Sequence, residues 1–146
     1  MNKKTVYLVL ILLAMQHFAK AQNPFEKDPW RQDELMEPAS LAKLIKDDPK
    51  VKILNIGVMD DIQGATHIGA ASEAPNLKKL KKTVAGFAKN STIVLYCGCC
   101  PMGKCPNIRP AFLLLKKANF TNVFLLNLPH NLHKDWFEQG YPLAQK

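Results

Sequence analysis

Cysteine is missing from the whole chain except for one stretch of nine residues. All four cysteines of the 146-residue sequence, Cys97, Cys99, Cys100 and Cys105, lie between Tyr96 and Pro106. Their absence elsewhere excludes a disulfide framework that ties distant segments together. Any bridge among these four closes only a small ring and adds little stability through chain entropy. A second, separated pair of ligands, on which structural zinc sites usually draw, is also missing.

Other absences narrow the function classes. There is no Gly-rich phosphate loop and no serine nucleophile elbow. His130 and His133 share a helix face by spacing, but no Glu-x-x-His pattern accompanies them. The chain is basic, net +8, yet the cluster Lys78, Lys79, Lys81 and Lys82 lacks interleaved aromatics. It reads as the wet face of a helix and not as a nucleic-acid surface, and no nucleic-acid partner is expected. No internal repeat or low-complexity stretch occurs.

The one long apolar run, Thr5 to Met15, is shorter than the ~20 residues a membrane-spanning helix needs. With Lys3 and Lys4 before it and Ala19-Lys20-Ala21 after it, it has the pattern of an export signal cleaved after Ala21. No cysteine stands at that cleavage point, which argues against a lipoprotein. The mature chain is then expected to begin at Gln22, periplasmic or secreted, with no stable membrane span. Removing residues 1–21 leaves 125 residues with 17 basic and 12 acidic side chains, a net +5. That length suits one domain with a real core. The expected division is a signal peptide over 1–21, an extended polar lead-in over 22–34 and a single domain over 35–146.

Along that domain the hydrophobic pattern alternates between helix and strand. Leu41, Leu44 and Ile45 form a helical stripe that Asp47-Asp48-Pro49 ends. Val51 to Ile56 reads as a strand stopped by Gly57, and residues 58–71 as a loop. Leu77, Leu80, Val84 and Phe87 mark a second helix. Thr92 to Tyr96 is the most apolar strand, as expected of a central parallel strand. Ala111 to Ala118 is a helix broken at Asn119-Phe120, Asn122 to Leu126 a strand, and His130 to Gln139 a last helix closed by Gly140. Such alternation predicts an α/β fold, a parallel β-sheet flanked by helices on both faces.

The cysteines therefore fall on a strand-to-helix turn, where backbone N–H groups converge and the helix N-terminus favours a thiolate. Cys97 is the candidate nucleophile. Cys99, Cys100 and Cys105 are candidate resolving thiols that would attack an oxidised or sulfur-loaded Cys97. Cys97 and Cys100 also have C-x-x-C spacing, that of a dithiol redox site. Clustered thiolates suit Cu(I) or zinc as well, which leaves a soft-metal carrier as an alternative. No cofactor or metal ligand is assigned. Asn107 reads as the N-cap of the following helix, with Ile108, Arg109 and Pro110 as its first turn. Arg109 and Lys104 are the candidate anion-binding cations, each with an ordinary surface role as the competing reading. His67 reads as structural, Asp60 and Asp61 carry no acid/base assignment, and Trp30 and Trp136 read as packing residues.

Five segments in order carry a family resemblance. They are His67-Ile68-Gly69-Ala70-Ala71, the strand Ile93-Val94-Leu95-Tyr96 ending in Cys97, the turn Asn119-Phe120-Thr121-Asn122-Val123, the helix with Trp136, and Gly140-Tyr141-Pro142-Leu143. Over roughly residues 35–143 the chain resembles the single-domain rhodanese family. The resemblance implies a sulfurtransferase in which Cys97 takes sulfane sulfur from a small sulfur-containing anion, holds it as a persulfide and passes it to a thiol acceptor. Three departures from the family pattern stand out. Asn55-Ile56-Gly57 replaces the usual Asp-Val-Arg. Cys97 and Arg109 are twelve positions apart where five is common, and counting back from Asn119-Phe120 puts the family's arginine near Asn107. Pro101, Pro106 and Pro110 remove N–H donors from the region. A dithiol redox protein using Cys97 with Cys100 or Cys105, and a non-catalytic binding module, remain alternatives; oligomeric state is left open.

Overall fold

The computed structural model describes residues 28–145. The expected export signal and the first part of the lead-in lie outside the described residues. Among those described, the order is β1 (Leu35–Met36), α1 (Pro38–Asp47), β2 (Lys52–Asn55), β3 (Ala65–His67), α2 (Ala74–Val84), β4 (Ile93–Tyr96), α3 (Ile108–Lys117) and β5 (Val123–Leu126). Single 3-10 turns occupy Gln32–Glu34 and Met102–Lys104, and a wide π-helical turn covers His133–Phe137.

The five strands form one parallel sheet in the order β1-β5-β4-β2-β3, so β4 is its middle strand. All four β4 residues are buried, which is why their sequence is an unbroken apolar run. Successive side chains alternate between faces. Ile93 and Leu95 enter one core with Leu54, Leu80, Phe112 and Leu115, which belongs to α2 and α3. Val94 and Tyr96 enter the other with Leu41, Ile53, Leu126 and Trp136, which belongs to α1 and the π-helical turn. The α/β architecture with helices on both faces is thus built as its hydrophobic pattern predicts.

Helix α3 ends where Asn119 adopts φ 61°, a left-handed residue at which the helix cannot continue. The Phe120 N–H reaches the Leu115 carbonyl at 3.2 Å and the Asn119 N–H reaches that of Lys116 at 3.0 Å. This reciprocal pair closes the helix and turns Phe120 into the core beside Leu115.

Three expectations change. Strands β1 and β3 carry no strand signal in the sequence. Both are edge strands; β1 has only two residues, and within the three-residue β3 Thr66 and His67 are exposed, so neither is long enough to show a hydrophobic period. The last helix is shorter than His130 to Gln139: its turn covers His133–Phe137, and the Asp135 carboxylate accepts the N–H groups of His130 (2.7 Å) and Asn131 (3.0 Å) just before it. The lead-in is not simply extended. Trp30 packs edge-on against Phe112 with ring centres 6.0 Å apart, and buried Glu34 pairs with Lys116 at 3.0 Å. Trp136, fully buried, is a packing residue as its sequence context suggests. Among the described residues no helix is long and apolar enough to cross a membrane.

Candidate active site

In a parallel sheet the carboxyl ends of the strands are where loops converge to build sites. Cys97 follows directly on the middle strand β4 at that end. Gly98 then takes φ +82°, which a side chain rarely adopts. A Cβ on Gly98 would also come within 2.8 Å of the Leu132 Cβ, so the chain can turn here only as glycine. The turn is pinned by the Leu132 N–H on the Gly98 carbonyl (2.9 Å) and the Met102 N–H on the Leu128 carbonyl (3.0 Å).

That turn folds the sulfurs onto one another. Cys97 Sγ lies 3.3 Å from Cys99 Sγ, and Cys99 Sγ lies 3.4 Å from Cys100 Sγ. The sulfurs of Cys97, Cys99 and Cys105 all lie within 4.8 Å of one another. Cys97 is only 3% exposed and Cys105 7%, whereas Cys99 is exposed. The cluster therefore has a buried floor and one sulfur at the surface. The C-x-x-C spacing of Cys97 and Cys100 does not describe the closest approach, because the sulfur of Cys100 lies against Cys99.

Cys97 is the acidic member. Its thiol is lowered from the ordinary value to about 5, first by the hydrogen bond from the Cys105 thiol. Burial opposes that shift. The Asn107 side chain and the backbone N–H and thiol of Cys99 reinforce it. The same contacts push Cys105 up, since it must keep its proton to donate. Burial and its neighbours push Cys99 up as well. One sulfur is held as an anion by two thiols that stay protonated.

Asn107 has a role beyond helix capping. It stands at the N-cap position but makes no capping bond with its side chain. Its Nδ2 donates to Cys97 Sγ at 3.2 Å, and its Oδ1 accepts the Ser72 N–H at 2.9 Å. The amide is thus oriented by the segment before α2 and aimed at the sulfur. The only sequence signal for this was the register count that placed the family's arginine near Asn107.

Arg109 is engaged elsewhere. Its Nη2 donates to Asp28 Oδ1 at 3.0 Å and its guanidinium lies 5.6 Å from the Trp30 ring centre. It fastens the described part of the lead-in to α3. Lys104 is exposed on the 3-10 turn. His130 pairs with Asp135 at 2.8 Å and His133 with Glu138 at 3.1 Å, so each has a carboxylate partner that spacing alone did not suggest. His67 accordingly takes a structural place: its Nδ1 lies 3.1 Å from Asp61 Oδ1 and 3.2 Å from Asn55 Nδ2.

Gly57 in Asn55-Ile56-Gly57 has a spatial reason. A Cβ on Gly57 would stand 2.5 Å from the Cys97 carbonyl oxygen and 2.6 Å from its sulfur. Only glycine lets the loop after β2 close over the thiolate. Buried Asn55 holds that loop: its Oδ1 accepts the Gly57 N–H at 3.0 Å and its Nδ2 donates to the Met59 carbonyl at 2.8 Å and Asp61 at 2.9 Å. A neutral amide thus braces the turn. The loop amides of Met102, Lys104 and Cys105 are committed to backbone carbonyls. Those three amides are therefore turned away from Cys97, whose sulfur meets the Asn107 side-chain amide, the Cys99 thiol and the Cys99 N–H.

No protein-family model matches the chain, and no curated protein matches it. Solved structures do. The wild-type structure of EanB matches at 22% identity and TM-score 0.54, over 76% of this chain and 27% of EanB. A complex of an EanB variant with hercynine matches to the same extent. The chain thus spans about a quarter of EanB's length. A full-length protein from Lactobacillus plantarum matches at 17% identity and TM-score 0.55, with 100% of both chains covered. At these identities the likeness shows the shared α/β fold.

Proposed function

We propose that this protein is an exported rhodanese-like sulfurtransferase that carries sulfane sulfur as a persulfide on Cys97. The observation that carries the reading is the placement of one acidified thiol at the carboxyl end of the middle strand, with Asn107, Cys105 and the Cys99 N–H directed at its sulfur. The ordered rhodanese-like segments of the sequence support the same reading. In the first half-reaction the Cys97 thiolate attacks the outer sulfur of a donor such as thiosulfate. An S–S bond forms on Cys97, the donor's S–S bond breaks, and sulfite leaves with the electron pair. In the second, a nucleophilic acceptor attacks the outer sulfur of the persulfide and Cys97 leaves as thiolate. A thiolate that is already stable at neutral pH serves both steps, as attacking group and as leaving group.

Conversion of thiosulfate and cyanide to thiocyanate tests this. The wild-type protein is expected to turn over and to show a species about 32 Da heavier after donor treatment. Cys97→Ser is expected to abolish both. Turnover that survives Cys97→Ser, or a protein that never acquires the mass, overturns the reading.

A second reading, thiol–disulfide exchange, is favoured by one observation: the buried Cys105 sulfur lies within 4.8 Å of the buried Cys97 sulfur. It makes Cys105, and not Cys100, the natural partner. Activity that requires Cys105 as strictly as Cys97 would favour it.

The export part of the proposal rests on residues 1–21. Expressed with its full sequence, the protein recovered from the exported fraction is expected to begin at Gln22. Recovery with Met1 to Ala21 still attached would remove that part.

A further inference from the structure

We propose that Cys97, Cys99 and Cys105 form a three-sulfur site for a soft monovalent metal ion, Cu(I). This goes beyond the sulfur-transfer reading and stands independently of it.

Thiolate–metal bonds are about 2.3 Å long, so a trigonal three-coordinate ion places its sulfurs ~4.0 Å apart and a linear two-coordinate ion ~4.6 Å apart. The three sulfurs lie within 4.8 Å of one another, and Cys97 and Cys99 stand at 3.3 Å. That pair is too close for a linear bridge and needs only a small opening for a trigonal one. Donor chemistry selects the ion. Among the described residues no histidine nitrogen or carboxylate joins the convergent trio. Three sulfurs alone favour a soft ion content with low coordination, whereas zinc is almost always four-coordinate.

Two ligands are fixed and one is reachable. Cys97 is set by the end of β4, and Cys105 by the 3-10 turn that the Met102–Leu128 hydrogen bond anchors. Both are buried, while Cys99 is exposed with the Cys100 sulfur beside it. A donor thiol can therefore hand the ion to Cys99 by ligand exchange, after which the two buried sulfurs complete the site. No oxidation is involved. Cys97 enters as thiolate, and Cys99 and Cys105 each release one proton as they bind. The Asn107 Nδ2 on Cys97, together with the N-terminus of α3 behind it, offsets part of the negative charge of the three thiolates. Bound ion and persulfide would be alternatives, since both require the Cys97 sulfur.

The test titrates the reduced full-length protein with Cu(I) against the chromophoric chelator bathocuproine disulfonate, under anaerobic conditions. The wild type is expected to retain one equivalent, with X-ray absorption reporting three sulfurs near 2.3 Å. Loss of a hydrogen-bonding neighbour of a ligand already costs about 10–100-fold in metal affinity. Cys99→Ser and Cys105→Ser are therefore each expected to weaken binding by about a hundredfold or more, and Cys100→Ser, which removes only the hydrogen-bonding neighbour of Cys99, by clearly less. Because Cys99 is on the surface, its variant tests the site without risk to the core. Two-sulfur coordination, zinc displacing Cu(I), or Cys100→Ser doing as much damage as Cys99→Ser would each overturn the proposal. Thiosulfate turnover through Cys97 in a protein that binds no copper would overturn this inference alone.

Discussion

Gly57→Ala is expected to cost about 2–3 kcal/mol of stability and most of the reactivity of Cys97, although it adds a single methyl group. The position needs no unusual backbone angle; the effect is purely one of space. The new Cβ would sit 2.5 Å from the Cys97 carbonyl oxygen and 2.6 Å from its sulfur, well inside van der Waals contact. The backbone on one side is held by the Ile56 N–H on the Tyr96 carbonyl at 2.8 Å, and on the other by the Gly57 N–H on Asn55 Oδ1 at 3.0 Å. Neither can yield without loss of a buried hydrogen bond. Relief must come from displacement of the Cys97 backbone and its sulfur together, and so of the sulfur from its donors. Denaturant unfolding and the rate of Cys97 alkylation by iodoacetamide measure the two consequences. A variant with wild-type midpoint and wild-type alkylation rate would show that the loop after β2 does not press on Cys97.

The second large effect is in the pH dependence of the metal-free protein. Alkylation of Cys97 is expected to follow a titration near pH 5, because its thiol is lowered to about 5 by the Cys105 thiol first and by Asn107 and Cys99 in support. An ordinary cysteine would titrate near ~8.5. Asn107→Asp keeps the oxygen that accepts the Ser72 N–H but replaces the donor at Cys97 with a carboxylate. The midpoint is then expected to rise by at least about one unit, with the rate at pH 6 falling accordingly. A purely structural Asn107 would leave the midpoint in place. The stability consequence has a definite sign. Between the folded and unfolded pKa values of Cys97 the unfolded chain binds the extra proton, so Cys97 contributes stability that grows as pH rises from about 5 and is fully present above the ordinary thiol range. Cys99 and Cys105, both raised, act oppositely at higher pH, where the folded state retains protons that the unfolded chain has lost. Stability is therefore expected to pass through a maximum near the ordinary thiol range. A stability profile flat from pH 5 to pH 9 would contradict it.

How much of this is legible in the sequence depends on whether burial leaves a pattern. Strands β2, β4 and β5 and helices α1, α2 and α3 face a core, and their apolar spacing marks them. Strands β1 and β3 lie at the sheet edges and have only two and three residues, too few for a side-chain period to show in the sequence. The Asp135 carboxylate closes the start of the last helical turn on the His130 and Asn131 N–H groups, a contact that a hydrophobic period does not register. At the site, the position of Cys97 after the central strand was legible. The partners of its sulfur were not, because Asn107 and Gly57 reach it from separate loops.

Sequence alone settled the α/β class, the parallel sheet with two covered faces and the concentration of every thiol at one strand end. These follow from residue order and hydrophobic period, which are local properties of the chain. Tertiary structure decided which sulfur is acidic, that Asn107 is aimed at it, that Arg109 is committed to Asp28, and that Gly57 must lack a side chain. Each of these is a distance of a few ångströms between groups that the chain brings together only when the loops after β2 and β4 close on the start of α3.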